Sequence, residues 1–439
     1  MSRSKSEFEE LIVESNDGSN SVDITKGARS VDYYEDIFSP IVTAKIVVVT
    51  TGDALPGKDG KGTSIYNGLP LRGGERVSMR IAANSDTNVA LDFATNVKDY
   101  LYVSSITNVI SQGQREAFTL NLVPREAITN ETIRVSGKYP TSAPIDVSVK
   151  KIIQDYLKTD KQVNVDETSN TYGFIGNLKR PFNILVWLAS KSVPKEQGST
   201  AGFLFFQTAD GFNFKSIDAL IAAEPKATYT YTDVSENNTE KNNDFNILTY
   251  NTERNQNLLE KLRLGAYASF RVGFNPLDCS FTLPQKGLFT QKDYLGKTKN
   301  LGQEPVLPKI SNDANETLGD IPSRIITQVI DVGTMEKEVS TLPNADPFQY
   351  QSQAVMRYNM LFTQTVNMTV PLNTNLRAGD IIECQFPRIT RSEIAEYDDD
   401  QSGLYMIKEL CHHFDDENSL TSMKLVRDTY GKYLSLIHI

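Results

Sequence analysis

Residues 71–77 read Leu-Arg-Gly-Gly-Glu-Arg-Val, and a similar stretch, Leu-Arg-Ala-Gly-Asp-Ile-Ile, returns at residues 376–382. In each stretch a glycine, Gly74 or Gly379, stands directly before a carboxylate, and strand-forming residues follow. Glycine suits turn positions whose backbone conformation disfavours a side chain. The two stretches therefore predict two related turns, each leading into a β-strand.

Two further matches follow these turns in the same order. Tyr102 lies in a Leu-Tyr-Val segment 28 positions after the first turn glycine, and Tyr405 lies in a Leu-Tyr-Met segment 26 positions after the second. A third match pairs residues 120–126 with residues 423–428. Three matches in one order and at similar spacing indicate two copies of one β-domain.

The duplication bears on quaternary structure. Most soluble oligomers are closed homo-oligomers. A trimer of a chain with two similar β-domains places six similar modules in a ring. Such a ring can dock onto a hexamer at one end and present threefold symmetry at the other, so the sequence is compatible with a symmetry adaptor.

The rest of the chain supports a mainly β fold with a helical part. The chain has 439 residues, of which 39% are hydrophobic and 23% charged, as in soluble globular proteins with several domains. Residues 41–50 have the β-branched content of a strand, and residues 203–212 are typical of a hairpin with an Asp-Gly turn. Residues 149–156 and 181–189 show helical spacing, the latter with proline in its first turn.

We therefore expect an α+β protein, mainly β, in which two related β-barrel domains flank or enclose an α+β domain. The expected bounds are 1–130 for the first β-domain, 131–240 with 285–350 for the α+β domain, and 241–284 with 351–432 for the second β-domain. Residues 434–439 are similar to the translation of a transposase end sequence used in preparing sequencing libraries. We treat those six residues as an artefact outside the fold.

Charge and cysteine content exclude several classes of protein. The formal net charge is −10, so a basic surface for tight nucleic-acid binding is not expected. An acidic protein can still line a DNA conduit, because like charge keeps the phosphate backbone from adhering. No apolar window reaches the length of a membrane span, and the N-terminal residues lack the apolar core of a signal peptide. The three cysteines are typical of a reducing compartment.

Three short motifs resemble nucleotide-binding or metal-binding sites, but each lacks a residue or a spacing that such a site requires. Residues 52–59 resemble a P-loop, but Asp59 stands where Ser or Thr should hold the metal ion. The Cys-His-His run at residues 411–413 would point its two histidines to opposite faces of a strand, so both cannot readily bind one zinc ion. The acidic run at residues 398–400 lacks the spaced ligands of a calcium loop.

We therefore predict no catalytic residue, no cofactor-binding residue and no metal ligand, and we expect a protein that is not an enzyme. The carboxylates that follow the turn glycines, Glu75 and Asp380, are assigned to hydrogen bonds at the turn or surface. A paired-carboxylate hydrolase site would need two acids held across a sugar, and no sequence signal selects such a pair.

Four segments together resemble the baseplate hub protein of T-even-like myophages, a family related to the hubs of type VI secretion spikes. The segments are residues 31–40 with their Tyr-Tyr-Glu-Asp core, 69–77, 378–380 and 402–413. The resemblance covers most of residues 7–431. It implies a homotrimeric ring with two tube-like β-barrels in each chain, which caps the hexameric tail tube and holds the trimeric central spike.

The same resemblance implies location in the virion tail baseplate of a contractile-tailed bacteriophage, after assembly in the host cytoplasm. Genomic DNA would pass through the ring without specific binding, and no membrane anchor is implied. Baseplate wedge and tape-measure proteins are further candidate partners. Tyr33, Tyr34 and Phe38 are candidates for interface aromatics, with core packing an equally good interpretation of all three.

Two alternatives of other classes stay open at this point. The chain could be a spike or hub component of a type VI-like secretion system or another contractile injection system, or a carbohydrate-binding tail module. It could also be a cell-wall hydrolase carried on a tail, which turnover of peptidoglycan would reveal.

Overall fold

The protein is described here from a computed structural model that covers most of the chain. The described residues are 5–51, 55–56, 62–69, 71–196, 200–232, 243–253, 257–276, 279–281, 287–295, 300–302, 307–310, 315–329, 348–388 and 397–431. The P-loop-like motif lies mostly outside these residues, and residues 434–439 lie entirely outside them.

Strands dominate the described part of the chain. In chain order they are β1 (Phe8–Glu14), β2 (Ser21–Asp23), β3 (Ala28–Asp36), β4 (Thr43–Thr51), β5 (Leu55–Pro56), β6 (Gly62–Thr63), β7 (Arg76–Ile81), β8 (Leu91–Phe93), β9 (Leu101–Gln112), β10 (Arg115–Pro124), β11 (Lys138–Tyr139), β12 (Val163–Val165), β13 (Phe174–Ile175), β14 (Phe203–Thr208), β15 (Gly211–Ser216), β16 (Thr228–Thr230), β17 (Thr249–Glu253), β18 (Ala268–Asn275), β19 (Ser280–Phe281), β20 (Leu288–Thr290), β21 (Arg324–Val329), β22 (Gln364–Pro371), β23 (Ile381–Gln385), β24 (Gly403–Asp415) and β25 (Ser419–Arg427).

Four of the eight described helices lie in sequence between the two sets of long strands. They are α1 (Ile65–Gly68), α2 (Arg125–Thr132), α3 (Ile145–Ile152) continued by a π-helical turn (Ile153–Leu157), α4 (Pro181–Ala189), α5 (Ile217–Ile221), α6 (Leu258–Leu264), α7 (Gln291–Leu295) and α8 (Phe348–Met360), with 3-10 turns at Val97–Asp99 and Asn243–Phe245. The expected mainly β class is confirmed.

The long strands form one large sheet with two similar halves. Its order is β17-β22-β25-β24-β3-β4-β10-β9-β7-β1-β2, with β8 beside β7 and with β23 and then β16 beside β24. Module 1 is the set β7-β9-β10-β4-β3, and module 2 is the set β23-β24-β25-β22-β17. Strands at the same place in the two modules have the same neighbours, and all of these neighbours are antiparallel.

Registers within the modules show the duplication at the level of single residues. Leu122 of β10 lies between Val103 and Ala44, and Leu425 of β25 lies in the corresponding place in module 2. One residue of β9, Ser104, and one residue of β24, Lys408, are skipped at matching places in the two ladders. A β-bulge of this kind bends a strand locally, so the two modules share a bend as well as an order.

The structure shifts one predicted match by one residue. Tyr102 lies opposite Arg76, whereas Tyr405 lies opposite Ile382, one place further along the paired strand. The counterpart of Tyr405 is therefore Leu101, and both side chains are fully buried. The shift arises because the inward position needs only an apolar side chain of suitable size, which leucine and tyrosine both supply, so matching the tyrosines by identity misplaced the register.

Alternation along the strands explains where the cores lie. In β3 the inward positions are Val31, Tyr33 and Glu35, with half-buried polar residues between them. Residues one apart in a strand point to opposite faces, so one face of each module packs on a core and the other stays polar. Module 1 and module 2 each have a separate apolar cluster on this inner face.

An α+β domain lies between the modules in sequence, as predicted. Its core packs α3 and α4 against the sheet β12-β15-β14, and Pro181 occupies the first turn of α4. The predicted Asp-Gly turn joins β14 to β15. Gly211 has φ +134°, and a Cβ there would lie 2.2 Å from the carbonyl oxygen of Gln162. The close approach of these two backbone segments therefore requires glycine.

Module 2 carries an insertion that module 1 lacks. Between β17 and β22 the chain forms α6, the small sheet of β18 to β21, and α8, whereas in module 1 only residues 37–42 connect β3 to β4. β18 pairs with β20 and with β21, so the domain boundary expected between residues 284 and 285 divides one sheet. The composition change near residue 285 therefore falls inside the insertion and is not a boundary between domains.

Candidate functional site

The two modules meet through β3 of module 1 and β24 of module 2. Asp36 lies opposite Glu409 at one end of this antiparallel pair, and Ser30 lies opposite Asp415 at the other. β24 is long enough to pair with β23 along its first residues and with β3 along its last. We refer to the β3–β24 pairing as the module joint, and it makes one continuous sheet from the two copies.

Glu75 and Asp380 bind the backbone of their own turns. The Glu75 carboxylate accepts hydrogen bonds from the amides of Arg72 (2.6 Å) and Gly73 (2.9 Å). The Asp380 carboxylate accepts from the amide of Arg377 at 2.9 Å. In both copies one amide donor, that of Arg72 or Arg377, lies three residues before the carboxylate, so the two carboxylates close equivalent turns.

Gly74 and Gly379 adopt nearly the same backbone conformation. Their φ angles are +95° and +94°, in the region that favours glycine. The amide of Gly74 donates to the carbonyl of Val103 at 2.7 Å, and the amide of Gly379 donates to the carbonyl of Ile407 at 2.8 Å. Each turn is thereby fixed to the same place on the long strand of its module.

Glu35 is a buried carboxylate at the meeting point of three parts of the chain. It accepts hydrogen bonds from the Tyr33 hydroxyl (2.8 Å), from the amide of Ala209 in the β14–β15 turn (2.7 Å) and from the amide of Ala378 in the second repeat turn (2.8 Å). Burial raises the pKa of Glu35 to about 7, against the lowering effect of Arg377 and of these hydrogen bonds. Module 1, the α+β domain and module 2 all bind this side chain.

Arg377 makes a second link between the β14–β15 turn and the second repeat turn. Its guanidinium binds both carboxylate oxygens of Asp210, each at 3.0 Å, and donates to the carbonyls of Thr374 and Leu376. A bidentate arginine–carboxylate pair fixes orientation as well as distance. The Asp-Gly turn of the α+β domain is therefore docked onto the second repeat turn.

The two histidines of the Cys-His-His run point to opposite faces, as expected. His412 is fully buried beside Tyr33, and burial together with nearby Arg377 lowers the pKa of His412 to about 3. His413 lies on the polar face. Its Nδ1 is 2.5 Å from Asp32 across the module joint, and its Nε2 is 3.1 Å from Asp415, so these carboxylates raise the pKa of His413 against the effect of burial.

The three candidate interface aromatics lie in different environments. Tyr33 is fully buried in the core of module 1, so it belongs to the joint within the chain. Tyr34 is half-buried on the polar face, with the Lys45 amine 5.3 Å from its ring. Phe38 is 40% exposed and stacks on Phe362, with ring centroids 5.7 Å apart. Phe38 and Tyr34 stay candidates for contacts with another molecule.

A trough of about 710 Å³ runs along the polar face above the module joint. Strands β17, β22, β25, β24, β3 and β4 all contribute to its lining. On these six strands the half-buried or exposed charged side chains of this face comprise five carboxylates, three lysines and one histidine. They are Asp32, Asp36, Glu253, Glu409, Asp415, Lys45, Lys408, Lys424 and His413. The face is acidic on balance.

One of the three lysines of this face, Lys408, is paired with two carboxylates. The Lys408 amine lies 2.9 Å from Asp36 across the module joint and 2.5 Å from its neighbour Glu409. Within the described part of the chain, no group of three or more His, Cys, Asp or Glu side chains is placed to hold a metal ion. No described helix is both long and apolar enough to cross a membrane.

Sequence reasoning identified the turn residues but missed Glu35, Arg377 and the module joint itself. Glu35 carried a signal, because it occupies the third inward position of an alternating strand where an apolar residue is expected. A carboxylate at such a position needs buried hydrogen-bond donors. Where those donors lie is a property of the tertiary fold.

Two solved tail proteins share this fold over nearly their whole length. The 43 kDa tail protein of prophage MuSo2 from Shewanella oneidensis aligns with a TM-score of 0.52 and 11% identity, covering 96% of this chain and 98% of that protein. The tail protein from Neisseria meningitidis MC58 aligns with a TM-score of 0.53 and 10% identity, covering 96% of each chain. No protein-family model and no curated protein matches the sequence. The chain therefore has the fold of these tail proteins.

Proposed function

We propose that this chain is a structural hub of a contractile phage tail. Three copies form a ring of six modules that joins the hexameric tail tube at one end to the trimeric central spike at the other. The observation that carries the proposal is the module joint, in which two copies of one module pair edge to edge within a single chain. The fold shared with two tail proteins supports it.

The insertion supports a change of symmetry along the ring axis. The part that the two modules share repeats six times in a trimer, which suits a hexameric tube. The insertion between β17 and β22 and the α+β domain occur once per chain, so they repeat three times. In such a ring the modules have approximate sixfold symmetry, whereas the insertion and the α+β domain have threefold symmetry. The threefold-symmetric parts suit a trimeric spike.

The polar face is proposed to line the channel through which DNA passes. It is rich in Thr, Ser and Asn, acidic on balance, and its lysine at the joint is paired with carboxylates. DNA binding by proteins depends on unpaired cations that neutralise phosphates. A face of this kind favours passage of a polyanion over binding, and the proposed role requires no catalysis.

The first test is the mass of the purified full chain in solution, measured by light scattering after size exclusion. A trimer that appears as rings in negative stain supports the hub. A chain that stays monomeric at every concentration, alone and with tube and spike proteins, contradicts it. Turnover of peptidoglycan by the purified chain would contradict the non-enzymatic part of the proposal.

A further inference from the structure

Two open strand edges lie within the modules, on β9 and β17, apart from the described edge strands β2, β8 and β16 at the ends and branches of the same sheet. β9 pairs with β10 along its whole length, but on its other side it pairs with β7 only at Leu101 and Tyr102. β17, the last strand of the sheet, pairs with β22 alone. Each edge presents a row of backbone donors and acceptors that could pair with a further strand.

The open part of β9 has a bulge at Asn108 and Val109, with φ of Asn108 at +53°, but it lacks two other features that normally protect such an edge. Residues 104–112 read Ser-Ser-Ile-Thr-Asn-Val-Ile-Ser-Gln, with no charged residue and no proline. Val109 is 43% exposed and Ile110 is 60% exposed. Monomeric proteins usually shield long edge strands with lysine, proline or a covering element. An uncharged edge with exposed branched side chains indicates that another strand covers it.

The module joint shows which strand fits. In module 2 the distal half of β24 pairs with β3, and in module 1 the equivalent distal half of β9 has no strand of the described residues beside it. The counterpart of β3 is β17, which is the other open edge. We propose that β17 of one chain pairs antiparallel with the distal half of β9 of a second copy, in the register of the module joint.

That register can be read from the two ladders as far as Thr107, because β9 has a second bulge beyond Thr107 that β24 lacks. In the module joint Tyr34 lies opposite Cys411. Glu253 holds the place of Tyr34, because each lies opposite the threonine that begins the equivalent pairing on the next strand. Thr107 holds the place of Cys411, because each lies three residues after the skipped residue of its own strand, which is Ser104 in β9 and Lys408 in β24. The proposed contact therefore sets Glu253 of one copy opposite Thr107 of the next.

The pairing deepens the proposed function and rests on it, because repeating the contact closes the ring only if the chain forms a closed oligomer. Joints within chains then alternate with joints between chains, and both use the same strands. Thr107 and Glu253 are exposed in the single chain, so cysteine at either position leaves the core intact. Directly opposed residues in antiparallel strands have Cβ atoms about 5 Å apart, within reach of a disulfide or a short bismaleimide.

The test is cross-linking of the full chain carrying Thr107→Cys and Glu253→Cys, with Cys279→Ser and Cys411→Ser to remove the accessible native thiols. Chains with only one of the two new cysteines are the matched controls. Tyr34→Cys with native Cys411 retained is the positive control, because the same register then closes a link within one chain. Mild oxidation is followed by denaturing electrophoresis, and light scattering gives the mass before oxidation.

Covalent dimers and trimers that need both cysteines and disappear with reductant support the inference. A trimer in solution that gives no link, while the Tyr34 control closes, overturns the inference and leaves the hub intact. A covalent ladder extending beyond the trimer supports the strand pairing and contradicts the closed trimer. A monomer without links at any concentration overturns both.

Discussion

His413 and Asp32 face each other across the module joint, with the imidazole Nδ1 2.5 Å from the carboxylate. The second ring nitrogen faces Asp415 at 3.1 Å, on the same strand as the histidine. Only the doubly protonated imidazolium donates from both nitrogens. Simultaneous hydrogen bonds from His413 to both carboxylates at the module joint therefore require the protonated imidazole.

The first prediction concerns pH. The pKa of His413 is raised in the folded chain, so its stabilising effect is complete below the pKa of an unfolded histidine and is lost as pH rises through the folded pKa. Because the side chain is partly exposed, we expect an effect of at most about 1 kcal/mol. Denaturant unfolding at pH 5.5 and pH 8.5 would show it as a difference between wild type and His413→Asn at the lower pH alone. An equal difference at both values would contradict the role of protonation.

The second prediction concerns the buried carboxylate. Glu35→Ala leaves the donors of Tyr33, Ala209 and Ala378 without their acceptor, and unsatisfied buried donors cost about 1–3 kcal/mol each. We expect a loss of about 3 kcal/mol or more in the free energy of unfolding. Tyr33→Phe is the matched control, because it removes one donor and keeps the ring, and it should cost about 1 kcal/mol.

Glu35 gives a second pH dependence, which arises from a buried acid rather than from a histidine. Its pKa is raised to about 7, so the folded chain favours the protonated acid and loses stability as pH rises from about 4.5 to about 7. Glu35→Gln removes this slope. Unfolding measured at pH 5 and pH 8 should therefore show a smaller pH difference for Glu35→Gln than for wild type, and an unchanged difference would refute the assignment.

The third prediction compares the two turn glycines. Alanine at Gly74 or Gly379 has the same unfavourable φ, at about 1–2 kcal/mol. A Cβ on Gly379 would also lie 3.2 Å from the Phe206 ring in the core, whereas a Cβ on Gly74 would meet only the Asn16 side chain, at 2.9 Å. Since the asparagine can move and the packed ring cannot, we expect Gly379→Ala to lower the melting temperature more. Equal shifts would show that φ alone decides.

The fourth prediction concerns the open edge of β9. Ile110→Lys places a charge on the edge proposed to bind β17 of a second copy, and lysine protects strand edges from pairing. We expect loss of the trimer in light scattering with an unchanged melting temperature of the monomer. Val97→Lys is the control, because Val97 is 61% exposed and lies in a 3-10 turn away from that edge. A trimer that survives Ile110→Lys argues for another interface.

Local patterns in the sequence were sufficient for the repeat turns, the Asp-Gly hairpin and the alternation of the long strands. Each depends on residues close together in the chain, such as Gly379 and Asp380. The module joint could not be found in this way, because Asp32 and His413 are far apart in sequence. The alternation of polar and apolar residues in each strand does not indicate which other strand it pairs with. The one-residue shift at Tyr102 has a similar cause, since identity was matched where inward orientation decides the register.

The insertion shows the same limit. Its sheet combines β18 with strands on both sides of a change in composition, so a boundary placed at that change cut through it. Parallel pairing of β18 with β21 requires a long crossover, and long crossovers leave no turn signal that links the two strands. Pairing partners of this kind become visible only in three dimensions.

Covalent linkage of the two modules has a kinetic consequence for assembly. The β3–β24 contact forms within one chain, so its formation is first order and does not depend on how much protein the cell has made. Joining six separate modules into a ring would need five encounters between free molecules, whereas joining three tandem chains needs two. Tethering makes the pairing of the two modules intramolecular, with an effective concentration of one module near the other on the order of millimolar. Assembly of a tandem chain should therefore begin at lower expression levels than assembly of its separated halves.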